Sequence, residues 1–343
     1  MGTTHLTGLE VNGVPTFGVA GAPLFTGRWL FVDPVHGSDG NTGAADNPIA
    51  SLYQAHALMT AGNNDVAVIV GSGSTAATIR LSIANAQLIT PAATVGTLVW
   101  SKNACHIIGM TAPTKVSQRA RIAPPTGVYT QATFGSGNFV TVSAQGCYFA
   151  NFSVFNGFST GGVNQICWTD TGGRNYYENV DFEGMGDAAS AQDTGSRSLL
   201  LSGTTGENTF VGCNIGLDTV TRTVANASLE FAGGSPRNTF IGCGFAFQTS
   251  SATVIGILVA LAAGMDRWQK FIGCDFINSV KSTSTQMTGL ATLAASAGGL
   301  LLFKSSTLVG VTKWGTDATS LAQEYVDGGA PTAATSGIAL NPT

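Results

Sequence analysis

The sequence predicts an all-β chain: a right-handed parallel β-helix with coils of about 30 residues, an N-terminal capping helix and an extended N-terminal arm. Three observations carry that expectation. A short phrase recurs at a near-constant step, its residues alternate with period two, and the stretches between copies lack helical periodicity.

The phrase reads Asn-Thr-Phe-Val-Gly-Cys-Asn-Ile at 208–215 and Asn-Thr-Phe-Ile-Gly-Cys-Gly-Phe at 238–245. It returns as Gln-Lys-Phe-Ile-Gly-Cys-Asp-Phe at 269–276. Weaker copies begin at Phe149, Tyr177 and Leu302, so the steps from 149 through 177, 210, 240 and 271 to 302 are 28, 33, 30, 31 and 31. Helical repeats need two amphipathic stretches per unit, and a propeller blade needs about 40 residues. A step near 30 holds three short strands with turns, which is one coil of a β-helix.

Alternation assigns the faces of each copy. It places Val211, Cys213 and Ile215 inward, with Ile241, Cys243 and Phe245, and Ile272, Cys274 and Phe276. Like residues on successive coils then stack about 4.8 Å apart, so Cys213, Cys243 and Cys274 form a core ladder flanked by Ile215, Phe245 and Phe276. By the same count Phe210, Phe240 and Phe271 fall on the outer face, unless a bend before them turns them in.

The chain divides into an arm (1–27), an entry strand with loop and capping helix (28–65), the β-helix (66–310) and a C-terminal cap or extension (311–343). The arm is punctuated by Gly and Pro and carries no partner strand of its own. Trp29 to Asp33 reads as a first strand and 36–43 as a turn-rich loop. Asp46 or Asn47 is the expected helix cap, with Pro48 in the first turn and an apolar stripe from Ile49 to Met59. An open solenoid end needs such a cap. Val66 to Val70 is the expected start of the coils.

Composition excludes several functions. The chain has 343 residues, 15 basic and 19 acidic, a net charge of −4 and 45 glycines. Only 10% of it is charged, against roughly 25% in ordinary domains. Scattered basic residues give no footprint for nucleic acid. The longest apolar run, Val254 to Met265, is 12 residues, short of the ~20 that span a bilayer. No basic segment followed by an apolar core marks the N-terminus as a secretory signal, so cytoplasmic synthesis is expected.

Phe31-Val-Asp-Pro-Val-His-Gly-Ser-Asp-Gly-Asn-Thr-Gly43, followed by Asn47-Pro-Ile-Ala-Ser-Leu-Tyr-Gln-Ala55, resembles the entry to tailed-phage virion proteins of the pectin-lyase-like β-helix class. The segment Gly8 to Gly18 is similar to N-terminal arms that attach such proteins to the particle. The resemblance implies a capsid decoration or head-spike protein on the virion exterior. It would be homotrimeric and docked on the major capsid protein through Leu9, Val11, Val14, Pro15 and Phe17. The alternative it implies is a tailspike that binds or cleaves host surface polysaccharide. A secreted pectin-degrading enzyme fits less well, given the missing signal and acid cluster.

The residues themselves offer little chemistry. The outer column of the second strand reads Ser153, Asp181, Asn214, Gly244, Asp275. Asp181 and Asp275 lie three coils apart, about 14 Å, whereas paired glycosidase carboxylates sit ~5–9.5 Å apart. Asp181 and Glu183, two residues apart on one strand face and hence about 6.5–7 Å, are the remaining catalytic candidates, with Arg174 or Arg197 as a basic partner. Cys105, Cys147, Cys167, Cys213, Cys243 and Cys274 contain no Cys-x-x-Cys pair and read as reduced core filler. Asp33, Asp39, Asn41 and Asp46 supply oxygen ligands for Ca²⁺ but lack a closing Glu, and turns use the same residues for backbone reasons. The outer column is poor in acids and in aromatics for gripping sugar, so a non-enzymatic protein is expected, and no cofactor is expected either.

Overall fold

The computed structural model describes residues 25–71, 79–80, 97–112, 114–115, 118–123, 138–157, 165–280, 282–294, 297–315 and 324–326, with 10–11 and 14–15 of the arm. It is a right-handed parallel β-helix. One coil shows the plan: a first strand Thr209–Val211, a second strand Asn214–Arg222 and a third strand Ala227–Phe231. First and second strands stack into a 16-stranded sheet and third strands into an 8-stranded one. Among the described residues no helix is long and apolar enough to cross a membrane.

The corner between first and second strands corrects the expected faces. Gly212, Gly242 and Gly273 have φ of +61°, +60° and +59°, and a single left-handed residue resets the alternation. Phe210, Phe240 and Phe271 therefore point into the core, each fully buried. Val211, Ile241 and Ile272 point outward instead of inward, and Ile241 is 39% exposed. Nothing lies within 4 Å of where a Cβ would stand on those glycines, so backbone conformation alone selects them. Asn151, Asn179 and Ser305 take the same corner with φ of +58°, +51° and +50°.

The reset builds a continuous aromatic stack. Phe149, Tyr177, Phe210, Phe240, Phe271 and Phe303 are in register, with centroids 5.0, 4.6, 4.5, 4.7 and 5.0 Å apart. The last copy of the phrase is thus anchored on Phe303, not Leu302. Past the corner, Cys213, Cys243 and Cys274 are buried beside Ile215, Phe245 and Phe276. Each of the three thiols donates to the previous coil's carbonyl, of Tyr177, Phe210 and Phe240 respectively, at 3.5 Å.

A second ladder is polar. At the turn into the first strand, the backbone N–H of Cys147 donates to Asn175 Oδ1, that of Asn175 to Asn208 Oδ1, and that of Asn208 to Asn238 Oδ1, at 2.9, 2.9 and 3.0 Å. The N–H of Asn238 donates to Gln269 Oε1 at 3.1 Å. All four amide side chains are buried, so the turn's backbone is satisfied without water.

The ends depart from expectation. Trp29–Val32 already pairs in parallel with Val66–Val70, so the stack begins one strand earlier than expected. Helix α1 spans Leu52–Leu58 and its cap is Ser51, not Asp46 or Asn47. The reason is local: Ile49 bridges Val32 in strand pairing, and Asp39 accepts from the N–H of Ala50 and Ser51, holding both extended. Lys102 Nζ donates to the carbonyls of His56, Ala57 and Met59, placing a cation at the helix C-terminus. At the far end Val311–Gly315 and Glu324–Val326 still join the sheets, past the expected boundary at 310. Trp314 is buried there, 4.4 Å from the ring of Phe303. The arm does carry a strand pair, Glu10–Val11 against Val14–Pro15; Leu9 and Phe17 lie outside the described residues. Phe25 packs on the outer side of the first strands, in a second apolar cluster with Val66, Val68, Ile108, Tyr148 and Ala150.

Candidate functional site: a buried carboxyl pair on the second strand

Asp181 and Glu183 end the strand Tyr176–Glu183. The register runs from Arg121 through Ser153, Asp181, Asn214 and Gly244 to Asp275. The column therefore faces outward, yet Asp181 is 0% and Glu183 2% exposed. The cover over Asp181 comes from two coils earlier. Gln118, which lies between the strands His106–Met110 and Arg121–Ala123, is itself buried. Its Nε2 donates to the carbonyl of Asn179 at 2.8 Å and to Asp181 Oδ2 at 3.3 Å.

Burial, and then the charge of Glu183, push the Asp181 carboxyl up to about 9. Gln118, Lys115 and Arg121 pull the other way but do not restore an ordinary value. Asp181 is therefore protonated at neutral pH. In this coil and its neighbours, polar atoms stand buried without a hydrogen-bond partner: Asp181 Oδ1, Gln118 Oε1, both amide atoms of Asn156 and of Gln165, Thr169 Oγ1 and Ser198 Oγ. They are eight of the ten such atoms among the described residues, so this stretch is where the fold leaves polar groups over. Cys167 belongs to the same corner; its thiol donates to the carbonyl of Val154 at 3.3 Å, and burial raises its pKa.

A general acid and base must touch the bond they cleave. Neither carboxyl reaches solvent, and the expected basic partners are committed elsewhere. Arg174 Nε donates to Glu207 at 2.9 Å. Arg197 donates to Glu230 at 2.5 Å and to the carbonyls of Thr194 and Ser196 at 2.7 Å.

The loop with oxygen ligands is used by its own backbone. Asp33 accepts from the N–H of Val35 and His36; burial would raise its pKa, but these bonds hold it below the ordinary value. Asp39 takes the N–H of Ala50 and Ser51 with one oxygen and the Ser51 hydroxyl with the other. Asn41 donates to the carbonyl of Pro48, and Asp46 is exposed. Among the described residues no group of three or more His, Cys, Asp or Glu is placed to hold a metal ion.

Arg222 and Asp170 are buried ionisable groups that sequence reading did not single out. Arg222 is 2% exposed, and its hydrogen-bond partners among the described residues are neutral: Asn226 Oδ1, Ser228 Oγ and the carbonyls of Asn226 and Ile255. Burial, then the charge of Arg197, push it down to about 9. Asp170 sits in the core, accepting from Tyr177 Oη at 2.6 Å, Asn175 Nδ2 at 3.0 Å and the N–H of Gly173 at 2.8 Å; burial raises its pKa. Neither stands in a motif, so only the fold reveals them. The Asn and Gln of the polar ladder did have a signal, since Asn208, Asn238 and Gln269 open the three strongest copies of the phrase.

Comparison with known proteins returns the fold and nothing narrower. No family model matches the chain, and neither does any curated protein. Among solved structures it is similar to pectate lyase Pel9A, at a TM-score of 0.58 and 15% identity, covering 88% of this chain and 68% of that one. It is also similar to pectin methylesterase PemA from Erwinia chrysanthemi, at a TM-score of 0.55 and 14% identity, covering 92% and 94%. These likenesses establish the pectate-lyase-like β-helix.

Proposed function

We propose that this chain is a non-enzymatic structural protein of a tailed-phage virion, a capsid decoration or head-spike protein held on the major capsid protein by its N-terminal arm. One observation carries the non-enzymatic part: the only close carboxyl pair on an outer strand face that the sequence nominates, Asp181 and Glu183, is sealed from solvent. The virion part rests on the resemblance of the entry loop and arm. The test is abundance in purified particles, measured against the major capsid protein by quantitative mass spectrometry. One copy per few capsid subunits is the expected result; a few per hundred assigns the protein to a tail or vertex, and absence from particles ends the reading.

A second reading is favoured by a specific feature. Trp29 and Tyr176 stand on one outward column of the first strands, 46% and 38% exposed. Each exposed ring offers an apolar face to a sugar ring, one on either side of the patch that Phe25 covers. On this reading the chain binds a host surface polysaccharide, as its solved neighbours' names associate them with pectin. Glycan-array binding that Trp29→Ala and Tyr176→Ala abolish would establish it.

A further inference from the structure

The outward face of the first strands carries a column with its own symmetry. In consecutive register stand Glu178, Val211, Ile241, Ile272 and Lys304. The order is acid, apolar, apolar, apolar, base, one residue per coil, with Ile241 in the middle. The neighbouring outward column reads Tyr176, Thr209, Thr239, Lys270, Leu302, an apolar residue at each end. Neither Lys270 nor Lys304 has a carboxylate partner among the described residues. The corner glycines beside the column leave its flank open.

We propose that this face is where two copies of the chain pair, with their solenoids antiparallel, about a twofold axis running along the strand direction through Ile241. The axis reverses the order of coils and keeps each column opposite itself. Ile241 then meets Ile241 of the second copy, Val211 meets Ile272, and Glu178 meets Lys304 at both ends. In the neighbouring column Tyr176 meets Leu302, and Lys270 meets Thr209. A parallel arrangement of the same faces sets Glu178 against Glu178 and Lys304 against Lys304, which costs affinity. The charge pattern thus selects the antiparallel partner, and the interface is isologous. Arg237 comes near its own copy at the edge, where it is already paired with Glu207. Closer to the N-terminus the same sheet face is already covered, by Phe25 over Val66, Val68 and Ile108. The pairing continues that cover over the coils which Phe25 does not reach.

The arrangement is twofold, where the resemblance implied three copies, and it stands apart from attachment to any particle. A chain absent from virions still pairs if the face is right, and a virion protein that stays monomeric in solution refutes only the pairing. The face is narrow, so the pair is expected to be reversible. The test is light scattering on the full chain across a dilution series. Wild type is expected to approach twice its 34.9 kDa; Ile241→Lys is expected to stay monomeric with unchanged circular dichroism. Orientation is read by cross-linking. A mixture of Glu178→Cys and Lys304→Cys chains should form a mixed disulfide, while Glu178→Cys alone should not cross-link. A wild type that is monomeric or trimeric throughout, a dimer that survives Ile241→Lys, or self-linked Glu178→Cys each overturns the proposal.

Discussion

Replacing the Asp181 carboxyl by an amide is expected to change stability in a pH-dependent way. In the unfolded chain an aspartate loses its proton near pH 4, whereas in the fold Asp181 holds it to about 9. Below pH 4 both states are protonated and the site contributes no pH dependence. As pH rises toward 9, the unfolded state ionises and the native state resists, so wild type loses stability. Asp181→Asn does not titrate; it should match wild type at pH 4 and exceed it by several kcal/mol, on the order of 6, at pH 8.5, measured by urea unfolding. Equal midpoints at pH 8.5 would show that the carboxyl is not buried as described. Cys243 gives the complementary case. It lies 1% exposed between Cys213 and Cys274, and Cys243→Asp introduces a charge with no partner. Loss of the folded circular dichroism spectrum at neutral pH is expected, and a stable variant would contradict the inward ladder.

The coil was legible as an element because its repeat is written in residues that cannot be exchanged freely: a Gly for the corner, a Cys and an aromatic for the core. The alternation failed at one place, for a physical reason. A period-two count assumes extended backbone throughout, and the corner residue at φ near +60° breaks it. Counting from Gly212 in both directions would have turned Phe210 inward and Val211 outward. A Cβ on Gly242 meets nothing, so Gly242→Ala should cost only the backbone term, about 1 kcal/mol, and Gly242→Asn less, as Asn179 already shows. Thermal unfolding checks the order; a penalty well above that would mean hidden packing. The cover over Asp181 was not legible, since Gln118 lies 63 residues away in sequence and reaches it only because coils stack. Likewise the helix cap moved to Ser51 because strand pairing at Ile49 outweighs the favourable Asp46-Asn-Pro start.

At the scale of the whole molecule, the arm and the solenoid meet at Phe25, whose ring stands 4.3 Å from His106 and 5.6 Å from Tyr148. A deletion meant to test attachment must spare that residue. Removing residues 1–24 is expected to abolish incorporation into particles while leaving the circular dichroism spectrum and the unfolding midpoint unchanged. Removing 1–27 should also lower the midpoint, because the outer apolar cluster is then uncovered. Particles that still incorporate the shorter chain would exclude the arm as the anchor.

The amide ladder has an arrow. The backbone N–H of Cys147 waits for Asn175, that of Asn175 for Asn208, that of Asn208 for Asn238, and that of Asn238 for Gln269. Each bond is supplied by residues made later. On the ribosome the newest coil is therefore always unfinished, and its successor completes it. A nascent chain whose exposed part stops short of Gln269 still holds one bare amide at Asn238, which Gln269 closes when it emerges. From Cys147 to Gln269 the ladder therefore closes in the order in which the chain is written.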